Sequence, residues 1–413
     1  MRVDTMRQLD YWFGIPLTFI ASLYVTFQDW FRNQASIEQP EIKRILFVEL
    51  SEMGSTIIAD PAMRRAQKNL NAELFFVIFA KNRPSLELLD TVKRENVFTL
   101  REDSLITLLW DSLRYLLWCR KNNIDTVIDL ELFSRVSALL TGLSGAWRRV
   151  GFHSFHNEGL WRGFMLTHKV AYNAHQHVAK SFIALVYSLE SNEAEVPYAK
   201  TYIGDEQIQL TQAIVSEQAK AEMRQRIALL CPNQTLHNKR IVLINPNASE
   251  LLTQRRWPKE RYAELMRNLL SVHDDIVILI TGAPAEREEA ELLKQQCNDD
   301  RVINFAGGVK FAELPTLYWI SSLMVTNDSG PGHFSAVTPL KTFVLFGPET
   351  PKLYGSLGNS TPIWAGLACA PCVSAANHRK TPCSAPVCMT AISVAQVQTL
   401  VSAELNQNLA IHT

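Results

Sequence analysis

Short apolar runs of strand length alternate with helix-length amphipathic stretches along this chain, and the alternation occurs twice. From Glu41 onward the runs KRILFVEL (43–50), AELFFVIFA (72–80), NVFTL (96–100), DTVIDLE (125–131) and RRVGF (148–152) are separated by helical patterns at 56–70, 84–92, 104–121 and 134–143. After a linker at 232–239 the pattern restarts with RIVLIN (240–245), DIVILITG (275–282), RVINFAG (301–307) and the runs at 323–325 and 342–346. Helices are expected from Pro258, at 284–296 and at 311–320. Apolar strands that alternate with helices fit a parallel sheet covered on both faces. The expected fold is therefore α/β, with two doubly wound Rossmann-like domains facing a cleft. The domains are placed at 41–235 and 236–392, preceded by an N-terminal segment (1–40) and followed by a C-terminal helix and tail (393–413). Residues 153–200 are less regular, and their histidines fit no metal spacing and read as surface or loop residues. A polar helix is expected at 205–230.

The N-terminal segment stands apart. Residues 11–27, YWFGIPLTFIASLYVTF, carry no charge, and Trp30 and Phe31 follow closely. About 17 apolar residues is the lower limit for a span. Tyr11, Trp12, Trp30 and Phe31 suit the interfacial belt of a bilayer, while Gly14 and Pro16 weaken a straight helix. With no small-residue cleavage site, a secretory signal is not expected. Membrane attachment through residues 11–31 is expected, either spanning or lying in the interface, with a buried core helix as the other reading. The 413 residues carry a formal net charge of zero, so no global field recruits nucleic acid. Seven cysteines without a secretory signal point to a reducing compartment.

Chemistry concentrates in the second half. In SSLMVTNDSGPGHFSAVTPLKTFVLFGPETP (321–351) a strand ends at Asn327-Asp328, turns through Ser329, Gly330, Pro331 and Gly332, and enters a helix at His333. Such a turn presents backbone N–H groups at a helix N-terminus, where glycines let an anion approach. The other reading is a tight turn without a ligand. After strand 240–245 the loop offers Asn247, Ser249, Thr253, Arg255 and Arg256, and arginine is the multi-donor choice for phosphate oxygens. In TGAPAERE, Glu286 could accept ribose hydroxyls or act as an ordinary N-terminal helix acid. Three successive β–α loops of this kind suggest a nucleotide diphosphate. No G-x-G-x-x-G follows the first strand, which argues against a dinucleotide dehydrogenase. Cys369, Cys372, Cys383 and Cys388 lie in one proline-rich stretch; they suit a structural zinc, free buried cysteines or a redox-sensitive pair. The remaining three cysteines read as core residues.

The series NPNAS, RRWPKERYAEL, GAPAE, TNDSGPGHFSAV and LFGPETP resembles glycosyltransferase family 9, the heptosyltransferase-like group, over about residues 43–405. SEMGS and Pro61 resemble that family's N-terminal motif. The resemblance implies a GT-B fold with an acceptor domain and a nucleotide-sugar domain. It implies transfer with inversion and no essential metal, from an ADP-heptose-like donor to a membrane glycolipid of the lipopolysaccharide type. It also implies that Arg256 meets the donor diphosphate and Glu286 the ribose, with Asp328, Gly330 and His333 in the sugar-phosphate loop. The family's first loop usually reads Gly-Asp, its Asp proposed as the base. Here Ser55 follows Gly54, and a serine is no general base near neutral pH. Glu52 is the replacement expected, with Asp60 second. The reading is an enzyme at the cytoplasmic face of a bacterial inner membrane. The alternatives are an inactive membrane-bound sensor of nucleotide sugars and an epimerase or hydrolase using the same donor site.

Overall fold

The computed structural model describes residues 8, 10–50, 52–155, 160–191, 199–231, 239–374, 377 and 379–411. The chain divides into two compact units, Met1–Gln209 and Leu210–Thr413.

In the first unit, helix α1 (Gly14–Gln34) precedes strands β1 (Arg44–Val48), β2 (Glu73–Phe79), β3 (Val97–Leu100), β4 (Thr126–Asp129), β5 (Arg148–Phe152) and β6 (His168–Val170). The main connecting helices are α2 (Met53–Asn69), α3 (Leu105–Lys121), α4 (Arg135–Leu143) and α5 (Val178–Glu190). Ser104 and Ser134 cap α3 and α4 by accepting from the N–H groups of Thr107 and Ser137, each at 3.2 Å. Every strand pairing is parallel, in the order β3-β2-β1-β4-β5-β6. The central strand β1 is apolar from Ile45 to Val48 because helices cover both faces, and these four residues are all fully buried.

The second unit repeats the plan. Helix α6 (Glu217–Ala228) leads into β7 (Arg240–Asn245), α7 (Lys259–Val272), β8 (Ile276–Ile280), α8 (Arg287–Cys297) and β9 (Val302–Asn304). Then come α9 (Leu314–Ile320), β10 (Leu323–Asn327), α10 (Gly330–Ser335), β11 (Lys341–Phe346), β12 (Ser360–Trp364) and α11 (Val394–Ile411). This sheet is also wholly parallel, in the order β12-β11-β10-β7-β8-β9. In each unit the order reverses once, between β1 and β4 and between β7 and β10. A crevice opens at such a reversal, outside the carboxyl ends of the strands.

Three boundaries differ from the sequence reading. The units part at Gln209 and not near 235, because the segment before α6 belongs to the second unit. There the Ala213 N–H donates to the Val337 carbonyl (2.7 Å) and the Ala213 carbonyl accepts from Trp319 Nε1 (3.0 Å). The expected tail at 393–413 is part of the same core, with Val394, Val397, Val401 and Leu405 buried beside Leu265, Met266 and Leu269. The region 153–200 contains β6 and α5, whose apolar runs are too short or too interrupted to read as a repeat.

The N-terminal segment is an integral part of the first unit. Helix α1 buries Gly14, Thr18, Ala21, Ser22 and Val25 and turns Phe19, Ile20, Leu23, Tyr24, Phe27, Trp30 and Phe31 outward. Small and hydroxyl residues face in and large apolar ones face out, the reverse of an ordinary surface helix. The helix is pinned by an ion pair of Asp29 with buried Arg149, and the residues just before it by an ion pair of Asp10 with Arg135 (2.8 Å). Arg32 stacks on Trp147 at 4.3 Å and Ser22 Oγ accepts from the Phe164 N–H at 2.8 Å. Among the described residues no helix is long and apolar enough to cross a membrane, which removes the spanning alternative for this helix.

Candidate active site

The crevice of the second unit is shaped by one buried amide. Asn327 ends β10, and its Oδ1 accepts from the Trp257 N–H and from the Tyr262 hydroxyl, both at 3.0 Å. Its Nδ2 donates to the Pro246 carbonyl at 2.8 Å. Both ends of the loop after β7 are thereby fastened to the strand next door, and Trp257 Nε1 adds a bond to the Ile392 carbonyl (3.0 Å). The sequence reading noted Asn327 only as the end of a strand. Its signal was an amide at the last position of an otherwise apolar run, a place where a polar side chain needs a structural partner.

The two arginines of this loop diverge. Arg256 folds onto its own loop, donating through Nε (3.1 Å) and Nη2 (2.7 Å) to the Ala248 carbonyl and pairing with Glu250. Arg255 points into the crevice, where Nη1 lies 3.6 Å from Asp328 Oδ2 and 3.8 Å from Glu349 Oε2. The resemblance places Arg256 at the donor diphosphate; in the structure Arg256 is held by its own loop, and Arg255 is the arginine beside Asp328 and Glu349. Glu349 follows β11 and was not singled out in the sequence. It is 1 % exposed and pairs with Arg379 Nε at 3.1 Å. Asp328 is 3 % exposed; burial first, and then the Glu349 carboxylate, push its pKa up to about 8 against the pull of Arg255 and Arg379.

The glycine turn is poorer in free donors than expected. Pro331 has no N–H, and the Gly332 N–H is used by the Ser329 carbonyl at 3.1 Å. Ser329 Oγ bonds the Asn327 carbonyl at 3.2 Å. The glycines serve close packing instead: a Cβ on Gly330 would stand 2.8 Å from the Phe334 ring, and one on Gly332 would stand 2.9 Å from Ser356 Oγ. His333 is buried in the first turn of α10. Asn247 and Glu286 converge at Gly282, where a Cβ would fall 2.9 Å from Asn247 Nδ2 and 2.7 Å from Glu286 Oε2. Glu286 Oε2 caps its own helical turn, accepting from the Ala283 N–H at 2.6 Å, so the ordinary N-terminal role is real. Thr253 lies in a 3₁₀ segment, Glu250–Arg255, and Ser249 directly before it; the Ser249 carbonyl accepts from the Leu252 N–H (3.2 Å) and the Thr253 carbonyl from the Arg256 N–H (3.0 Å).

The cysteine stretch abuts this crevice. The Cys372 N–H donates to the Pro348 carbonyl (3.0 Å), and Gln254 Nε2 donates to the Cys383 carbonyl (2.9 Å). Burial, and behind it the nearby thiols of Cys372, Cys383 and Cys369, raise the Cys388 thiol. Among the described residues no group of three or more His, Cys, Asp or Glu side chains is placed to hold a metal ion. The zinc expectation for Cys369, Cys372, Cys383 and Cys388 is not matched by this geometry; Cys388 is buried, Cys369 is exposed, and Cys372 and Cys383 are half-buried.

The crevice of the first unit is lined by acids. Glu49, at the end of β1, is 3 % exposed, and its pKa stands well above the usual carboxylate range through burial and then through Glu131, Glu52 and Asp129. Glu52 stands half-buried at the N-cap position of α2, where its side chain accepts from Ser55 Oγ at 3.3 Å and not from the helix backbone. Asp129 is buried and ion-paired with Arg162. Asp60, the second candidate for a base, is fully buried and held by Arg64 Nε (2.7 Å) and Thr91, which makes it a structural acid. A 420 Å³ cavity opens beside the acid group, lined by Asp129, Phe152, His153, Arg162 and Leu166 among others. The sequence did not reveal it, because its walls come from the irregular stretch after β5.

Comparison with known proteins places this geometry in a family. The sequence model of glycosyltransferase family 9 (heptosyltransferase) matches residues 116–381, more than half of the chain. Lipooligosaccharide heptosyltransferase 2 of Campylobacter jejuni is 31% identical over 151 residues, covering 33% of this chain and 43% of the relative, so the match spans less than half of that protein. Among solved structures, the ADP-heptose lps heptosyltransferase II of E. coli has a TM-score of 0.67 at 19% identity, over 88% of this chain and 99% of that one. An E. coli heptosyltransferase solved with ADP-2-deoxy-2-fluoro heptose has a TM-score of 0.58 at 17% identity, over 87% and 99%. At these identities the structures establish the fold, and the sequence model establishes the kinship. This chain belongs to glycosyltransferase family 9.

Proposed function

We propose that the protein transfers a heptose or similar sugar from a nucleoside diphosphate donor of the ADP-heptose class to a lipopolysaccharide-type glycolipid. The carrying observation is the second-unit crevice, where Arg255, Asp328 and Glu349 meet beside Asn247 and Glu286. In this reading the first unit takes the acceptor. Glu52 accepts the proton of the acceptor hydroxyl while that oxygen bonds to the anomeric carbon, and the carbon–oxygen bond to the diphosphate breaks on the opposite face. Attack from that side inverts the anomeric centre. Ser55 donates to Glu52 and orients it. Arg255, assisted by Arg256 at the rim, meets the charge that builds on the departing diphosphate, with no metal assigned to the step. Glu286 takes the ribose with the oxygen its helical turn leaves over.

The outward apolar face of α1 supports a position at the membrane surface, on the cytoplasmic side where the nucleotide donor is found. Helix α3 adds exposed Ile106, Leu109, Trp110, Leu113 and Leu117. Replacing Phe19, Leu23 and Phe27 together by serine spares the buried side of α1. The variant should lose most of its binding to phosphatidylglycerol–phosphatidylethanolamine vesicles, and unchanged cosedimentation would remove the membrane from the proposal.

A panel of nucleotide sugars, including ADP-heptose, tests the activity with membrane lipid extract as acceptor. Release of nucleoside diphosphate that depends on the lipid is the expected result. Donor binding with no release under any condition would favour an inactive sensor, which Ser55 in place of the family's usual Asp also favours.

A further inference from the structure

Helix α3 is apolar on two opposite sides. Its inner side, Leu108, Tyr115 and Cys119, belongs to the core of the first unit. On the opposite side Ile106, Leu109, Trp110, Leu113 and Leu117 follow one another at helical spacing, and they stand between 57 % (Leu113) and 80 % (Ile106) exposed. An ordinary surface helix is polar there, and a contiguous apolar stripe of five large side chains marks a surface with a partner. The C-terminal half of this stripe is edged by cations. Arg114 and Lys121 lie along one side of it and Arg120 closes its end, all three exposed. The single acid of the helix, Asp111, is buried and taken up by Arg101, whose Nε and Nη2 meet its two oxygens at 2.9 Å each. Its charge is thus matched before Arg114 approaches it at 3.4 Å, and the outer face of the helix end stays positive.

Helix α1 differs. Its outward face is apolar too, but the two charges of Gly14–Gln34 turn to the protein: Asp29 pairs with Arg149, and Arg32 stacks on Trp147 and donates to the Gly145 carbonyl at 3.0 Å. Both helices pack against α4, which puts the neutral face and the cation-edged one on the same side of the first sheet. We propose that α3 is the part of this surface that selects lipid charge, its stripe seated at the acyl boundary while Arg114, Arg120 and Lys121 meet the phosphates of anionic phospholipids. The proposal rests on the reading of the first unit as seated on a membrane. Cations that edge an apolar stripe are the pattern of a helix lying in the interface plane, and Trp110 within the stripe suits the headgroup level. A second copy of the chain would bring the same cations and, from within α3, no exposed acid to answer them.

Cosedimentation with phosphatidylcholine vesicles, with and without phosphatidylglycerol, tests the assignment. At low salt the wild-type chain should prefer the anionic vesicles, and the preference should shrink near 1 M salt, where charges are screened beyond about 3 Å. Each cation near an anionic surface is worth roughly fivefold in binding, so Arg120→Gln with Lys121→Gln should lose roughly 10- to 30-fold on anionic vesicles and nothing on neutral ones. An unchanged urea midpoint shows that this variant folds. The serine variant of Phe19, Leu23 and Phe27 on α1 should instead weaken binding to both compositions alike. An equal anionic preference in wild type and in the Arg120→Gln, Lys121→Gln variant would overturn α3 as the selector and leave the membrane position standing on α1. A wild-type chain that binds neither composition would overturn the membrane reading itself. Light scattering that gives twice the chain mass, reduced to the single mass by Leu109→Ser with Leu113→Ser, would hand the stripe to a second copy and overturn the proposal as well.

Discussion

The two units share one strand order and one kind of crevice, yet the crevices differ in electrostatics. Glu49 in the first and Asp328 in the second are both buried acids raised by burial and by a facing carboxylate. They differ in what stands opposite. Around Glu49 the neighbours are Glu131, Glu52 and Asp129, and the Arg162 guanidinium is committed to Asp129, Ser137 and the carbonyls of Glu131 and Ser134. Around Asp328, Arg255 and Arg379 face the acids from two sides. An acid-lined crevice suits deprotonation of a neutral hydroxyl, and a mixed one suits an anionic leaving group attached to a sugar. The topology makes the crevice, and the loop residues decide its chemistry.

The comparison breaks most visibly at Glu52. Glu52→Gln should lower kcat by roughly 10²- to 10⁴-fold, the usual worth of a positioned base, with the donor KM little changed. A rate within threefold of wild type in a lipid-dependent transfer assay would move the base elsewhere. Next in size is the lock on the acid side. Arg162→Met leaves Asp129 buried without its partner and should destabilise the first unit by about 3–5 kcal/mol, read by urea unfolding. A loss below about 1 kcal/mol would mean that water reaches Asp129 and that the acid group is not sealed.

Much of this was legible in the residues. Apolar runs such as Ile276–Ile280 could only be parallel strands, since each side chain is apolar and each is buried. Asp328, Arg255, Asn247 and Glu286 were also visible, because polar residues directly after such runs land at the carboxyl edge of the sheet. What periodicity could not tell was which of two adjacent arginines turns inward, since that depends on Asn327 fastening Trp257 three-dimensionally. Nor could it find Glu349, which sits in a Pro-Glu-Thr-Pro turn and gains meaning only from its distance to Arg255. The N-terminal helix was legible only in part for a related reason. Its uncharged sequence hides a stripe of Gly14, Thr18, Ala21 and Ser22 that packs on the protein, and a hydropathy window averages the two faces.

On the donor side the expected effects are smaller. Arg255→Met should weaken nucleoside diphosphate binding roughly 10- to 100-fold, as expected when a charged hydrogen-bond donor is lost. Arg256→Met should cost less than about tenfold, because that guanidinium is already used by Ala248 and Glu250. The reverse order in a calorimetric titration would restore Arg256 to the diphosphate and show that Arg255 serves only to neutralise the acids.

The least expected effect is on stability with pH, and its sign separates the crevices from ordinary surface carboxylates. A surface acid paired with arginine, such as Asp299 with Arg301, has a lowered pKa in the folded state, so it stabilises at neutral pH and loses that contribution as pH falls. Asp328 behaves oppositely. Its folded value of about 8 lies above the unfolded value of 3.8, so the folded state holds a proton that the unfolded state has released between those limits. The associated stability is complete below about pH 4 and disappears as pH rises toward 8. Urea unfolding of the full chain should therefore show a decline in second-unit stability between pH 5 and pH 8 that Asp328→Asn flattens, since an amide cannot titrate. Arg255 and Arg379 offset part of the repulsion from Glu349, which keeps the slope modest. An identical slope in wild type and Asp328→Asn would mean that Asp328 is ionised throughout this range, with the guanidiniums holding the two carboxylates together.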